Sequence, residues 1–244
     1  MRCLMLSDIH GNLAALEAVL ASAPPDLPVW CLGDVVGYGP SPNECIERLR
    51  SLDHRCIVGN HDWAVRSKVD VREFNPDAQV SVQWTQQCLK EDNLSYLASL
   101  HDKELHGEFT LVHGSPREPI WEYILYLPVA RLNLAHLSSL HCFVGHTHVP
   151  RIFRFRVKDD EETCQEEHLL EGGPRRLGEG RLIINPGSVG QPRDGDARAS
   201  YLVLDADDLT YEYHRVTYDV AKTQRLMEKA RLPDRNIMRL SYGW

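Results

Sequence analysis

Five short apolar runs in this chain each end in aspartate, asparagine or histidine, and few folds accommodate that pattern. "LMLSDIH" delivers Asp8 and His10, and "VWCLGD" delivers Asp34. "CIVGNHD" brings Asn60, His61 and Asp62, "FTLVHG" brings His113, and "CFVGHTH" brings His146 and His148. Runs this short and this continuous read as strands buried on both faces. Helical patterns separate the first three. "NLAALEAVLASA" places Leu13, Leu16, Val19 and Leu20 on one stripe, and "SPNECIERLRSL" offers Ser41 as N-cap and Pro42 at the first helical position. Strand, helix, strand, helix, strand predicts parallel pairing through right-handed crossovers. The carboxyl ends of such strands gather along one edge, where ligands bind.

The second half changes character. Residues from about Pro76 to Leu100 read as two helices with "EDN" between them. "RIFRFRV" alternates apolar and basic residues, which predicts a strand with one wet face, and "RFRVK" reads as a solvated edge that discourages strand pairing. The charged, Gly-rich stretch around 158–180 reads as an exposed hairpin or loop, a surface insert. "RLIINPGS", "SYLVLDA" and "TYEYHRV" read as three further strands, and "DVAKTQRLMEKARL" as a terminal helix. No solenoid repeat and no linker divides the chain, so one domain over 1–244 is expected, large enough to need no staple.

Charge and cysteine use narrow the setting. A net charge of −8, from 27 basic and 35 acidic residues, argues against a stable nucleic-acid partner. The seven cysteines form no CxxC pair and sit largely in apolar runs, as small core residues of a reduced compartment. No run is long enough to span a membrane, and the start lacks the apolar stretch of a signal peptide. A cytoplasmic protein is the expectation.

The strand-end residues share one chemistry. Carboxylate, amide oxygen and imidazole suit Mn²⁺, Fe, Zn²⁺, Ni²⁺ or Co²⁺. A carboxylate between two such ions can bridge them, and the pair can polarise a phosphoryl oxygen and generate hydroxide at neutral pH. Singly, each residue has an ordinary explanation: a helix cap for Asp8 or Asp34, a turn for Asn60, a surface position for any one histidine. Five such endings together are what point to a metal site.

The ordered blocks "DIH", "GDVVGYG", "GNHD", "VHG" and "GHTH", with the tail "NPGSVGQPRDGDARASYLVLD", resemble the calcineurin-like metallophosphoesterase family, in its compact bacterial and archaeal phosphodiesterase branch. The resemblance implies an α/β fold, a four-layer α-β-β-α sandwich with two facing mixed sheets. It implies two divalent ions (Mn, Fe, Zn, Ni or Co, with Mn supporting activity). Asp8, His10 and His148 would hold one, Asn60, His113 and His146 the other, and Asp34 would bridge them. A metal-bridging hydroxide would hydrolyse the phosphodiester bond without a covalent intermediate. His61 would hydrogen-bond a phosphate oxygen or protonate the leaving group, and Asp62 would orient His61 or start the next helix. Arg117, Arg193 and Tyr38 are substrate-binding candidates, each with a loop or packing role as the alternative. Asn185, Gly187 and Ser188 are expected to shape the site's floor. The substrate is a phosphate ester, small molecule or nucleotide. A phosphomonoesterase (phosphoprotein phosphatase), a dinucleoside polyphosphate hydrolase and a silent interaction scaffold are the competing readings. The scaffold ranks last because every ligand position is filled.

Overall fold

Strand β1 (Arg2–Leu6) shows how the first apolar run is used in full. Side chains alternate across a strand, so Cys3 and Met5 enter one hydrophobic cluster while Leu4 and Leu6 enter another. The structure, a computed structural model, describes residues 1–158 and 161–244. β2 (Val29–Cys31) and β3 (His54–Cys56) extend β1 in parallel, as the sequence pattern predicts, with α1 (Leu13–Ser22) and α2 (Pro42–Arg50) as crossovers. Asn12 caps α1 by accepting a bond from the Ala15 amide at 3.2 Å, and Pro42 opens α2.

Then follow α3 (Asn60–Ala64), α4 (Pro76–Cys88), α5 (Glu91–Ser99), β4 (Lys103–His106), β5 (Phe109–Val112), α6 (Leu127–Asn133) and β6 (His141–Phe143). β7 (Arg151–Lys158), β8 (Glu161–Glu167), β9 (Gly172–Arg176), β10 (Arg181–Asn185), β11 (Ala199–Asp205) and β12 (Thr210–Val216) precede α7 (Val220–Lys229) and α8 (Asp234–Arg239). One sheet runs β12-β11-β1-β2-β3 and the other β4-β5-β6-β10-β7-β8; both mix parallel and antiparallel pairs. Met5, Trp30, Phe109, Phe143, Ile184 and Leu202 fill the space between them. Leu16 and Val19 of α1 pack on the outer face of the first sheet, and Ala130 of α6 packs with Phe153 and Ile183 outside the second. This is the four-layer α-β-β-α sandwich.

Four details depart from the sequence reading. The three-strand tail does not form the second sheet alone. β10 joins that sheet, whereas β11 and β12 return to the first, where β11 pairs antiparallel with β1. β7 is no wet edge: it pairs with both β10 and β8, and Phe153 and Phe155 are buried on one face and Ile152 and Arg154 on the other. Arg154 is neutralised by Glu167, at 2.6 and 2.9 Å, which permits its burial. The break in the helical region falls at Leu89–Lys90, so "EDN" opens α5 instead of preceding it. β4 had no distinct signal. Within the expected insert, residues 159 and 160 lie outside the described residues; their flanks, β7 and β8, form an antiparallel hairpin. Among the described residues no helix is long and apolar enough to cross a membrane.

Candidate metal centre

The five strand-end segments converge at one edge of the sandwich, and their backbones take an unusual shape there. Asp8, His10, Asp34, His146 and His148 all have left-handed φ, between 48° and 65°. That region costs a residue with a Cβ about 1–2 kcal/mol, so it persists only where surrounding bonds enforce it. They do. The Asp8 amide donates to Gly33 O at 3.1 Å, that of His10 to Asp34 O at 2.9 Å, and that of Gly145 to His113 O at 2.8 Å. The loop from β10 to β11 crosses between the sheets and ties both. Ser188 Oγ donates to Asp8 O at 2.8 Å, and Asn185 Nδ2 donates to Gly145 O at 2.6 Å and to Thr147 Oγ1 at 2.9 Å. Close approach also restricts side chains. A Cβ at Gly59 would run into Oδ1 of Asp34, and one at Gly145 would meet Ser7 Oγ and, at 3.0 Å, Asp8 Oδ2.

Four histidines each spend one ring nitrogen on a backbone carbonyl. His10 Nδ1 donates to Val36 O (3.1 Å), His113 Nδ1 to Leu32 O (2.8 Å), His148 Nδ1 to Gln191 O (2.6 Å) and His146 Nε2 to Trp121 O (3.2 Å). A carbonyl only accepts, so each ring carries its proton there and turns its other nitrogen inward, the arrangement that orients a metal-binding imidazole. Three groups of inward atoms result: Asp8, His10 and His148; Asp34, His113 and His146; and His10, Asp34 and His61, each within 4.8 Å. Asn60 Oδ1 lies 3.1 Å from His113 Nε2, joining the second group. All seven sequence candidates therefore meet in one place.

The electrostatics suit a cation. Asp8 and Asp34 are buried, and among the described residues their charged neighbours are imidazoles, with no lysine or arginine salt bridge. Burial opposes their ionisation, but His148 beside Asp8, and His113 and His61 beside Asp34, outweigh it and hold both carboxyls well below the usual range. Burial likewise opposes a charge on His113, yet Asp34 and then Asp8 raise it to about 10. A proton there partly supplies the positive charge the carboxylates require. Burial drives His10 and His146 well below the ordinary imidazole value, which leaves them neutral with lone pairs available. Two carboxylates, one amide oxygen and four oriented imidazoles fit a divalent transition metal.

The remaining candidates separate. His61 is buried, its Nδ1 has no hydrogen-bond partner, and burial lowers it to about 4. Its ring lies 4.5 Å from that of Tyr38 and 4.9 Å from that of His10, so Tyr38 walls the centre. Asp62 does not reach the His61 ring. Its carboxyl accepts the amides of Gly59 (3.0 Å), Val36 (3.1 Å) and Val35 (3.3 Å), which fixes the β2 loop to the start of α3. Burial and then Asp34 push it up to about 7. Arg117 is already engaged: its guanidinium grips Glu122, with Nε 2.9 Å from both carboxylate oxygens. Arg193 stays, its guanidinium 5.6 Å over the Tyr38 ring. Sequence reasoning missed Gln191, whose carbonyl accepts from His148 Nδ1, and Arg239; a backbone acceptor and a distant helix leave no local signal. Tyr123 stacks on His146, with ring centroids 3.7 Å apart.

A buried constellation of this kind at the edge of a two-sheet sandwich defines a metal-dependent hydrolase of phosphate esters. Residues 1–209 match the calcineurin-like phosphoesterase superfamily domain, and the chain belongs to that family. Among individual proteins it is 39% identical to the uncharacterized protein MJ0912 of Methanocaldococcus jannaschii, over 94% of this chain and 93% of that one. It is 29% identical to the Phosphodiesterase YfcE of Escherichia coli K12, over 86% and 90%. The crystal structure of a metallophosphoesterase from Sphaerobacter thermophilus superposes with a TM-score of 0.89 at 45% identity, covering both chains in full.

Proposed function

We propose that this phosphoesterase is a phosphodiesterase working with two divalent ions, held by two ligand groups that share Asp34. One observation carries the reading: Asp34 Oδ2 lies 3.6 Å from His10 Nε2 and 3.4 Å from His113 Nε2, at the joint between the groups. Asp8, His10 and His148 would hold one ion, and Asn60, His113 and His146 the other, with Mn²⁺ expected to support activity. When bound, the ions supply charge for the phosphoryl oxygens and lower the pKa of water toward neutrality.

This chain's own residues do the rest. The four carbonyl ties keep the imidazoles aimed, so little reorganisation accompanies binding. His61, neutral at pH 7, donates a hydrogen bond to a phosphoryl oxygen. Asp62 positions it through the backbone, since its carboxyl holds the amide of Gly59 one residue before Asn60. Arg193 and Tyr38 line the substrate side. A diester preference draws support from the long match to a phosphodiesterase. A cytoplasmic location draws support from the cysteine pattern, seven residues with no CxxC pair that sit largely in apolar runs. Residues 1–244 would act as one domain.

Hydrolysis of bis-p-nitrophenyl phosphate beside p-nitrophenyl phosphate, with Mn²⁺ and with chelator, tests this. Chelator-sensitive turnover favouring the diester is expected. Turnover of the monoester alone would replace the reading with a phosphatase, and metal binding without turnover of any phosphoester would favour a scaffold.

A further inference from the structure

Two arginines from distant parts of the chain meet beside the metal centre on a single acceptor. Arg193 Nη2 donates to Gln191 Oε1 at 3.0 Å, and Arg239 Nη1 donates to the same oxygen at 3.2 Å. Neither guanidinium has a carboxylate salt bridge among the described residues. Nε of both is buried without a hydrogen-bond partner, and so is Gln191 Nε2. Like charges so close repel, and burial together with Arg193 depresses the basicity of Arg239. Three other arginines, by contrast, are held by carboxylates: Arg117 by Glu122, Arg154 by Glu167, and Arg198 by Glu171 and Asp196. Here two half-buried forks share one neutral oxygen.

Their place is fixed relative to the centre. The carbonyl of Gln191 accepts from His148 Nδ1, and the Arg193 amide donates to His148 O at 3.3 Å, so the pair is latched to a candidate ligand. Arg193 also lies over Tyr38, whose ring is 4.7 Å from that of His10. Arg239 ends α8, which Ile237 and Leu240 anchor in a hydrophobic cluster with Met227 and Leu232, and Asn236 bonds Ser81 Oγ at 3.1 Å. Arg239 also lies beyond residues 1–209, the part matched to the family.

We infer that Arg193 and Arg239, set by Gln191, form an anion subsite for a second phosphoryl group of the substrate, next to the one hydrolysed. Planar forks with free N–H donors match phosphate oxygens in pairs, which an ammonium does not. The substrate is then a phosphoester with at least one further phosphoryl group, and α8 is the element that selects it. The inference rests on the phosphoesterase reading for its catalytic meaning, but not for the binding it requires.

Inorganic pyrophosphate titrated into chelator-treated protein tests that binding without turnover, followed on ¹⁵N-labelled arginine Nε–H signals. The two signals are assigned by their loss in Arg193→Lys and Arg239→Lys, and thermal melts verify that both variants fold. Both signals are expected to shift saturably, with affinity at least tenfold weaker in either variant and unchanged in Arg48→Lys, a surface control. In the Mn²⁺-loaded enzyme, Arg239→Lys is expected to lower kcat/KM at least tenfold more for a substrate with two phosphoryl groups than for bis-p-nitrophenyl phosphate. Unmoved signals, or an equal loss on both substrates, would overturn the subsite. Saturable shifts in a protein that hydrolyses no phosphoester would sustain the subsite and overturn the phosphoesterase reading instead.

Discussion

Nε2 of His10 and Nε2 of His148 stand 3.0 Å apart, while Nδ1 of each ring is bound to a backbone carbonyl. With both ring protons held on the outer nitrogens, two lone pairs face each other, next to Asp8 Oδ1 at 3.2 Å from His148. Such a pair is stable only with a proton or a cation between them. Burial makes the proton unfavourable, so a metal ion is the better partner.

Metal should therefore stabilise the fold. Ligand at a hundredfold excess over Kd adds about 2.7 kcal/mol, which for a chain of this size raises Tm by about 5–10 °C. Thermal melts of chelator-treated protein with Mn²⁺, Ni²⁺ or Zn²⁺ measure this. His148→Ala should lose most of the rise, and an unchanged Tm with every metal would remove the centre.

Asp34→Asn keeps an oxygen for the His61 amide, now accepted at 2.9 Å, but removes the charge facing His10 and His113. Activity should fall by about 10³-fold, the scale of losing a preorganised electrostatic group, with circular dichroism close to wild type. A second readout is independent of turnover. His113, held at about 10 by Asp34 and Asp8 against burial, should titrate at markedly lower pH by NMR in the metal-free variant. An active, well-folded variant would end the bridging assignment.

His61 was expected either to hydrogen-bond phosphate or to transfer a proton. Its burial, with a value near 4, keeps it neutral in any ordinary assay and favours the first. His61→Ala should lower kcat by roughly 10²–10³-fold while leaving the shape of the rate profile between pH 5.5 and 8 unchanged. A wild-type limb near neutrality that vanishes in the variant would restore the proton-transfer role.

What the sequence disclosed follows from where chemistry is local. A ligand at the end of an apolar run is visible because the run and the ligand are neighbours in the chain, which is why Asp8, Asp34 and His113 stand out. Their supports are not. Any residue supplies a carbonyl, so nothing in the letters marks Val36, Leu32, Trp121 or Gln191 as the groups that set the imidazole protons. Arg117 and Arg193 look alike as loop arginines, and only the fold shows Glu122 closing on the first. Strand character is legible in "RLIIN" and "SYLVLD", but sheet membership is not, because a buried strand reads the same in either sheet. Arg154 misleads for a related reason: a basic letter implies water until its partner Glu167 is found across β8.

Gly59 tests how closely the β3 turn must approach the centre. A Cβ there runs into the carboxylate and, at 2.5 Å, the backbone nitrogen of Asp34, neither of which is a flexible chain end. Gly59→Ala should cost about 1–3 kcal/mol, as overpacking does, and weaken metal binding with it. Gly173, with open space around its Cβ position, should tolerate alanine to within about 0.5 kcal/mol. Denaturant melts of both variants decide it; equal stability would mean the turn relaxes freely.

Stability at low pH should depend on a residue far from the ligands. His141 begins β6, is buried with Nδ1 unpartnered, and packs its ring 5.5 Å from that of Phe109. Burial, and then Arg154, lowers it to about 4, against 6.5 for the ordinary side chain. Between those values the unfolded chain takes up a proton that the folded chain refuses, so stability falls as pH drops from 6.5 toward 4. At about 1.4 kcal/mol per pH unit the upper bound is roughly 3 kcal/mol, reduced where the ring edge retains some hydration. His141→Phe removes the titrating group while keeping an aromatic ring against Phe109. Its Tm relative to wild type should therefore rise steadily as pH falls from 6.5 to 4 and stay constant above 7. A Tm difference that does not change with pH would show that His141 is protonated equally in the folded and unfolded chain.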